Sequence, residues 1–275
     1  MRQTVWLLML TLAACDSSPN GQAGGEATAA AVSSASAAAS ASASASASIG
    51  PDGARSLSEE TDEFLFSYAY PAAAGNIPEL AALLDRRLEQ SRGALVQEAA
   101  EARRAARADG FPYNKHSVET RWEVVTDLPG WLSLSAEIES YGGGAHGNYG
   151  FDSLVWDKQG ARALPAIDLF ASAEALDEAI GETMCRALNA ERAKRRGEPV
   201  PEGSDDQFDQ CVGVAETTVL VGSAGRRKFD RIGVQIGPYV AGPYAEGAFE
   251  LSFPVNRAVL AAVKPEFRDA FVARN

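Results

Sequence analysis

Length, composition and charge limit the size of the fold and the class of its ligands. The chain has 275 residues, enough for one large or two small domains, and its formal net charge is -12. An acidic field of this size repels phosphate groups, so it argues against binding of nucleic acid or anionic lipid by general charge. It favours basic partners, or it serves solubility alone.

The first residues have the layout of an export signal. Residues 1–14 carry one positive charge, a short apolar run and small residues before Cys15, and the run is too short for a permanent membrane-spanning helix. The segment Leu-Ala-Ala-Cys15 is similar to a bacterial lipobox. That resemblance implies a signal peptide over residues 1–14 and acyl chains on Cys15, which would anchor the chain to the periplasmic side of an envelope membrane. The alternative is a soluble secreted protein, and the choice between inner and outer membrane stays open.

Residues 15–56 consist largely of alanine, serine and glycine. A segment of this composition has little apolar surface to bury, which predicts a disordered tether. As a flexible coil of about 40 residues it would typically span roughly 35 Å between the anchor and the folded part.

The folded part is predicted to begin with one strand and one long helix. Residues 61–70 alternate and are rich in aromatic side chains, a pattern typical of a strand. Asn76 is predicted to cap a helix that runs to about Ala108 and stops at Asp109-Gly110. The leucines expected on its buried stripe are Leu80, Leu83, Leu84, Leu88 and Leu95.

Three strands are predicted to follow as a meander. They cover about residues 117–126, 131–139 and 148–156, with a turn between the first two and a glycine-rich loop between the last two. Ser172 is then predicted to cap a second helix. Its expected apolar face consists of Leu176, Ile180, Met184 and Leu188.

The last third of the chain returns to strands. Residues 216–221, 228–236 and 248–253 have strand patterns, and short helices are expected from Asn256 and Pro265. Strands and helices segregate instead of alternating strictly. The sequence therefore predicts an α+β fold with an antiparallel sheet or sheets, two main helices packed on one face, and short C-terminal helices.

Cys185 and Cys211 are the two cysteines that remain once Cys15 is set aside. Two thiols in an exported domain are most simply a disulfide, so we predict that they pair. In the chain-entropy model a bridge of this span stabilises the fold by roughly 3.5 kcal/mol. The competing interpretation is a reactive thiol.

Two glycine-rich loops are the candidates for a binding surface. The first, Tyr141-Gly-Gly-Gly-Ala-His146-Gly-Asn148, holds one of the two histidines of the chain, and its glycines suit a turn with positive φ or close approach of a ligand. The second covers residues 237–247 and repeats Gly-Pro-Tyr; its prolines remove strand hydrogen-bond donors, and its tyrosines are good contact residues. The candidate ligand-binding residues are Tyr141, Gly143, Gly144, His146, Asn148, Tyr239, Tyr244 and Glu246.

Each of these candidates has a plainer interpretation. Tyr239 and Tyr244 could be buried with satisfied hydroxyls, and His146 could simply hold neighbouring carbonyl groups. The functional hypothesis requires the two loops to lie side by side and to form one recognition face. Loops at opposite ends of the molecule would rule it out.

The two loops, together with Ser135 and Asp168-Leu-Phe170, resemble one family. They are similar to the paired domains of unknown function in the lysozyme-sensing anti-sigma factor RsiV. The first of the pair also resembles the non-catalytic N-terminal domain of the peptidoglycan deacetylase PdaC. The resemblance implies a PdaC- and RsiV-like part over residues 57–150 and an RsiV-like part over residues 151–275, within one compact unit.

Two departures limit what this resemblance implies. RsiV needs a membrane-spanning helix and a sigma-binding segment, and the sequence shows neither. The deacetylase needs a catalytic domain with metal-binding histidines, whereas His116 and His146 are the two histidines here. We therefore expect the recognition module alone, without a metal or another cofactor and without catalytic residues.

Catalytic alternatives have weak sequence support. Ser135, His146 and Asp152 are eligible for a nucleophilic triad, but no nucleophile elbow accompanies them. Glu137 and Glu139 should share one face of a strand, which could suit glycosidase chemistry. The sequence thus favours a non-catalytic module that binds or senses a peptidoglycan-related ligand or a basic protein such as lysozyme. The alternative is an envelope hydrolase that acts through His146 and neighbouring carboxylates.

Overall fold

The structure is a computed structural model that describes residues 44–274. The expected signal peptide, Cys15 and most of the expected tether lie outside the described residues. The described part belongs to one compact unit. None of its helices combines the length and the apolar character needed to cross a membrane.

The described residues form two sheets, four α-helices and several short 3-10 helices. The seven-stranded sheet contains β1 (Ser44–Ile49), β2 (Arg55–Glu60), β3 (Phe64–Tyr70), β4 (His116–Asp127), β5 (Trp131–Tyr141), β6 (Asn148–Asp157) and β7 (Arg162–Leu164). The three-stranded sheet contains β8 (Thr218–Gly222), β9 (Arg231–Ile236) and β10 (Phe249–Pro254). The α-helices are α1 (Ala72–Gly75), α2 (Pro78–Asp109), α3 (Ala173–Arg196) and α4 (Arg257–Ala262). The 3-10 helices are Ala166–Leu169, Gln207–Asp209, Val214–Glu216, Tyr244–Glu246 and Pro265–Ala270.

Strand order in the large sheet follows the chain from β1 to β7. Every neighbouring pair is antiparallel except β3 and β4, which are parallel. A parallel pair needs a long crossover, and α1 and α2 supply it. The small sheet is antiparallel in the order β10-β9-β8. The predicted α+β class is confirmed.

The first hydrophobic core lies between α2 and the seven-stranded sheet. Four predicted leucines of α2 and one further alanine are buried there, whereas Leu83 is only partly buried. The buried residues of this stripe are Leu80, Leu84, Leu88, Leu95 and Ala99. Beneath them the Trp122 indole donates a hydrogen bond to the Tyr68 hydroxyl at 2.8 Å, and burial raises the pKa of Tyr68 to about 12.

The second core lies between α3, α4 and the three-stranded sheet. The predicted apolar face of α3 is confirmed, because all four of its predicted residues are buried. Ser172 caps this helix as predicted, since its side chain accepts a hydrogen bond from the Ala175 amide at 3.1 Å. The two long helices thus cover different sheets.

Both ends of α2 were predicted from local signals, and one of them is wrong. Gly110 ends the helix as expected, in the left-handed conformation with φ of 74°. Asn76 does not cap it; the N-cap is Ile77, without a side-chain hydrogen bond. The short helix α1 ends at Gly75, directly before Asn76. The side-chain amide of Asn76 instead donates a hydrogen bond to the Asp52 carbonyl at 2.9 Å.

The predicted end of the tether at residue 56 is also corrected. Ser44–Ile49 forms β1, which pairs antiparallel with β2, and β2 itself begins at Arg55. All six residues of β1 are exposed. Composition predicted no structure because nothing is buried here, whereas an edge strand is held by backbone hydrogen bonds to its neighbour.

Truncation of a leucine on α2 tests the first core. Leu88 is fully buried, so Leu88→Ala should lower the free energy of unfolding by about 2–5 kcal/mol through lost burial and a cavity. The exposed Arg86 on the same helix gives the control, and Arg86→Ala should change that energy by less than about 0.5 kcal/mol. Urea denaturation followed by circular dichroism measures both, and equal effects would contradict this account of the core.

Candidate functional site

The glycine-rich loop joins β5 to β6 as a long hairpin connection. Gly143 has φ of 82°, which a residue with a side chain rarely adopts. Its carbonyl accepts a hydrogen bond from the Asn114 side chain at 3.0 Å, and the Tyr141 hydroxyl donates to the Gly144 carbonyl at 2.8 Å. These bonds fix the base of the loop and leave its end, with His146, exposed.

The His146 ring has a defined tautomer in this loop. Its Nδ1 lies 2.7 Å from the Gly147 carbonyl oxygen, and a carbonyl can only accept, so Nδ1 must carry the hydrogen. In the neutral ring Nε2 is then an acceptor. The Tyr239 hydroxyl lies 3.3 Å from Nε2 and donates to it.

The two loops meet at a group of aromatic rings, which we call the aromatic cluster and define as His146, Tyr149, Tyr239 and Tyr244. The His146 and Tyr244 ring centroids are 4.3 Å apart and nearly stacked, and those of Tyr239 and Tyr244 are 5.6 Å apart. Tyr239 remains 49% exposed. The structure therefore brings the two predicted loops side by side on the surface.

Tyr149 is a member of the cluster that the sequence reasoning missed. Its ring lies 6.3 Å from that of Tyr244, and its hydroxyl accepts a hydrogen bond from the Ala248 amide at 2.8 Å. The tyrosine follows Asn148 directly and was assigned to a strand. Its position at the start of that strand, directly after the glycine-rich loop, could have indicated that it belongs to the same surface.

The segment that carries Tyr239 and Tyr244, residues 237–247, is called the tyrosine segment. Tyr239 itself has φ of 66°, a strained conformation for a bulky residue. A hydrogen bond from its amide to the Gly242 carbonyl at 3.1 Å holds this turn. Strained tyrosine backbone persists only where surrounding contacts hold it in place.

A buried arginine of α3 supplies one such contact. Arg192 is fully buried, and its Nε donates to the Ala241 carbonyl of the tyrosine segment at 2.9 Å. Its Nη2 donates to the Gln210 carbonyl at 3.0 Å, and its Nη1 to the Asn189 side chain at 2.8 Å. Burial, and then the nearby Arg196 charge, lower the pKa of Arg192 from its usual value. A cation is tolerated inside the protein because these donors are satisfied.

Two further arginines hold the end of the same segment. Arg196 pairs with the Glu246 carboxylate at 2.7 Å and with Asp209 at 2.5 Å. Arg195 donates to the Glu246 backbone carbonyl, and its guanidinium lies 3.8 Å from the Phe249 ring centroid. Glu246, a candidate ligand contact, thus uses its carboxylate to anchor the segment.

The other two sequence candidates border the aromatic cluster, whereas the second histidine of the chain does not. Asn148 is exposed at the start of β6, and Gly144 is exposed in the loop, so both lie at the surface beside the cluster. His116 lies apart from His146: it is buried, stacked on Tyr113, with its Nδ1 3.3 Å from a Glu98 carboxylate oxygen. The two histidines therefore do not form one site.

The eligible triad of Ser135, His146 and Asp152 is not assembled. Ser135 pairs with Ser153 across β5 and β6, whereas Asp152 pairs with Ala136. Because successive residues of a strand point to opposite faces, Ser135 and Asp152 lie on opposite faces of the sheet. Asp152 is held there by Arg87 at 2.9 Å.

A groove leads from the aromatic cluster across the open face of the seven-stranded sheet. Two cavities of about 530 and about 140 Å³ share Ser117 and Glu139 in their walls, and the smaller one reaches Tyr149 and Tyr244. Glu119 also lines the larger cavity, directly opposite Glu139 in the β4–β5 register. Glu119 is already paired with Arg121 at 2.6 Å. Glu139 is the lining carboxylate without an ion pair among the described residues, so a cationic group in the groove would be stabilised chiefly by Glu139.

The predicted disulfide between Cys185 and Cys211 is present. Cys185 lies on α3, and Cys211 follows the 3-10 helix Gln207–Asp209. The bridge therefore ties the loop after α3 back onto that helix. Cys211 directly follows Asp209 and Gln210, whose carbonyl groups accept hydrogen bonds from Arg192.

Comparison with known proteins supports the predicted resemblance. Residues 57–149 match the family model described as Deacetylase PdaC. A solved DUF3298 family protein from Pseudomonas aeruginosa PAO1 matches with 17% identity and a TM-score of 0.51, over 86% of this chain and 96% of that chain. A second DUF3298 structure, from Bacteroides fragilis NCTC 9343, has 15% identity, covers 78% of this chain and 89% of that one, and has a TM-score of 0.39. A search of curated proteins found no match.

The family-model match shows that residues 57–149 are similar to PdaC, as the sequence predicted. At 17% identity the Pseudomonas protein shows a shared fold and nothing about ligands. The PdaC match ends at residue 149, so the aromatic cluster combines residues from within the matched range with the tyrosine segment beyond it. The two parts contribute to one surface.

The arginine contacts predict a pH dependence that one variant should remove. The pKa of Asp209 is lowered, first by the Ser204 hydroxyl and then by the Arg196 guanidinium. Its stabilising contribution is complete above the usual aspartate pKa and is lost as the pH falls through the lower folded-state pKa. As the pH is lowered through this range, the urea midpoint of unfolding should fall more steeply for the unmodified protein than for Asp209→Asn. Parallel pH profiles would contradict the assigned role.

Proposed function

We propose that the chain is a lipid-anchored, non-catalytic binding or sensing module on the periplasmic side of the cell envelope. Its proposed ligand is a peptidoglycan-related glycan or a basic protein such as lysozyme. The observation that carries this proposal is the exposed aromatic cluster, at which two separate loops meet through the Tyr239–His146 contact. The proposed anchor rests on the lipobox-like residues that end at Cys15.

The chemistry of the surface supports a binding role. Tyrosine rings offer large contact area at low entropic cost, and aromatic faces attract cations. The adjoining groove adds the Glu139 carboxylate, and the chain as a whole has a net charge of -12. A ligand with amino or guanidinium groups gains from both features, whether it is a glycan with free amines or a basic protein.

The alternative, an envelope hydrolase, has less support from the same geometry. The hydrogen-bond partners of His146 are the Gly147 carbonyl and the Tyr239 hydroxyl. A general base of a hydrolase is usually oriented by a carboxylate and lies within reach of a nucleophile or a water that it activates. The stacked His146 is instead a contact residue of the surface.

Truncation of the cluster tyrosines tests the binding surface. Tyr239→Ala and Tyr244→Ala should each weaken ligand binding about tenfold or more, since central aromatic contacts contribute on the order of 1.4 kcal/mol or above. Isothermal titration with muropeptides and, separately, with lysozyme measures the effect. Phe111→Ala is the control, because Phe111 is 71% exposed and is not a member of the cluster. Absence of binding to both ligands by the unmodified protein would refute the proposal.

A turnover assay separates a binder from a hydrolase. Incubation of the unmodified protein with labelled peptidoglycan should release no soluble fragments, because the hydrogen-bond partners of His146 within residues 44–274 are a carbonyl and a tyrosine hydroxyl, not a carboxylate. His146→Ala should therefore show the same absence of release while its titration with the ligand is weakened. Fragment release that His146→Ala abolishes would establish the hydrolase instead.

A further inference from the structure

We propose that the disulfide-closed loop, defined as residues 197–211, positions the tyrosine segment through Arg192 and Arg196. Cleavage of the Cys185–Cys211 bond would then loosen the aromatic cluster, although neither cysteine belongs to it. The consequence for ligand affinity rests on the function proposed above. The positioning itself can be measured without a ligand.

The first link joins the disulfide to a buried cation. Cys211 directly follows Asp209-Gln210, and the carbonyls of these two residues accept hydrogen bonds from Arg192 at 3.3 and 3.0 Å. The bridge therefore fixes the chain within two residues of both acceptors. In the intact protein they lie against α3, where the guanidinium can reach them.

The second link joins that cation to the tyrosine segment. Arg192 is fully buried, and the same guanidinium donates to the Ala241 carbonyl at 2.9 Å. A buried cation that loses two carbonyl partners cannot replace them with water unless its surroundings open. Displacement of residues 209–210 therefore favours opening of the contact at Ala241 as well.

The third link runs through the neighbouring ion pairs. Arg196 bridges Asp209 of the disulfide-closed loop and Glu246 of the tyrosine segment, and all three side chains are at most 20% exposed. Glu246 ends the 3-10 helix that begins with Tyr244. A shift of Asp209 would therefore displace Glu246 and, with it, the Tyr244 ring that stacks on His146.

The disulfide is open to exchange. Cys211 is exposed, and both cysteines line a surface cavity of about 420 Å³ together with Asp177 and Arg186. A thiolate of a dithiol reductant would attack one protein sulfur, break the Cys185–Cys211 bond and release the other cysteine as a thiolate, which takes up a proton. The second thiol of the reductant would then attack its own sulfur in the mixed disulfide and release the remaining cysteine. Two electrons pass to the protein, which gains two thiols, while the reductant becomes a disulfide. The thiol–disulfide state would thereby control the binding surface.

Hydrogen exchange measured on the oxidised and the reduced protein tests this coupling. Reduction with dithiothreitol, verified by titration of two free thiols, should increase amide exchange in residues 237–247 about tenfold. Exchange in α2, which belongs to the other core, should stay unchanged. A Cys185→Ser, Cys211→Ser double variant should match the reduced protein and removes any direct effect of the reagent.

Two arginine variants separate the relay from general damage to α3. Arg196→Gln should raise exchange in residues 237–247 even when the disulfide is intact. Arg186→Gln is the matched control, because Arg186 lies on the same helix but pairs with Glu182 on the exposed surface. Equal effects of the two variants would overturn the assigned role of Arg196.

The remaining outcomes distinguish this inference from the proposed function. Unchanged exchange in the tyrosine segment after complete reduction overturns the positioning role, as does a uniform increase that includes α2. If exchange rises in residues 237–247 but neither muropeptides nor lysozyme binds, the positioning role stands and the proposed ligands are wrong. If exchange rises in residues 237–247 and the protein also binds one of the proposed ligands, reduction should weaken that binding about tenfold.

Discussion

The arrangement of the candidate surface depends on one buried guanidinium group. Arg192 leaves α3 inside the protein, where an unpaired cation would be very unfavourable, and it satisfies its donors with backbone carbonyls from two separate loops. Carbonyl groups from both loops must therefore converge on this side chain. The tyrosine segment has little regular structure of its own, and this convergence supplies the support that a sheet or a long helix would otherwise give.

The support explains how Tyr239 keeps a backbone conformation that its side chain disfavours. With φ of 66°, the residue points its hydroxyl toward His146 in the other loop. Strain of this kind persists where neighbouring contacts hold the backbone, and here Arg192 binds Ala241 and Arg196 binds Glu246, both later in the tyrosine segment. In the proposed binding role, a surface held in this way before a ligand arrives would lower the entropic cost of binding.

The surface also joins the two parts of the fold. The hairpin of β5 and β6 brings His146 and Tyr149 from the large sheet, whereas the tyrosine segment connects β9 to β10 of the small sheet. The PdaC-like match ends at residue 149, so a PdaC-like part alone would carry half of the cluster. The groove with Glu119 and Glu139 extends from there across the large sheet. The proposed binding surface therefore needs both sheets in place.

The sequence alone determined the features that local patterns encode. Leucine spacing gave α2, serine capping gave the start of α3, glycine ended α2, and cysteine count gave the disulfide. Only the tertiary structure decided β1, the parallel pairing of β3 with β4, and the roles of Arg192, Tyr149 and Glu246. The physical reason is range: helix periods and caps involve neighbours in the chain, whereas an edge strand, a buried cation and a tyrosine hydroxyl are defined by partners far away in sequence.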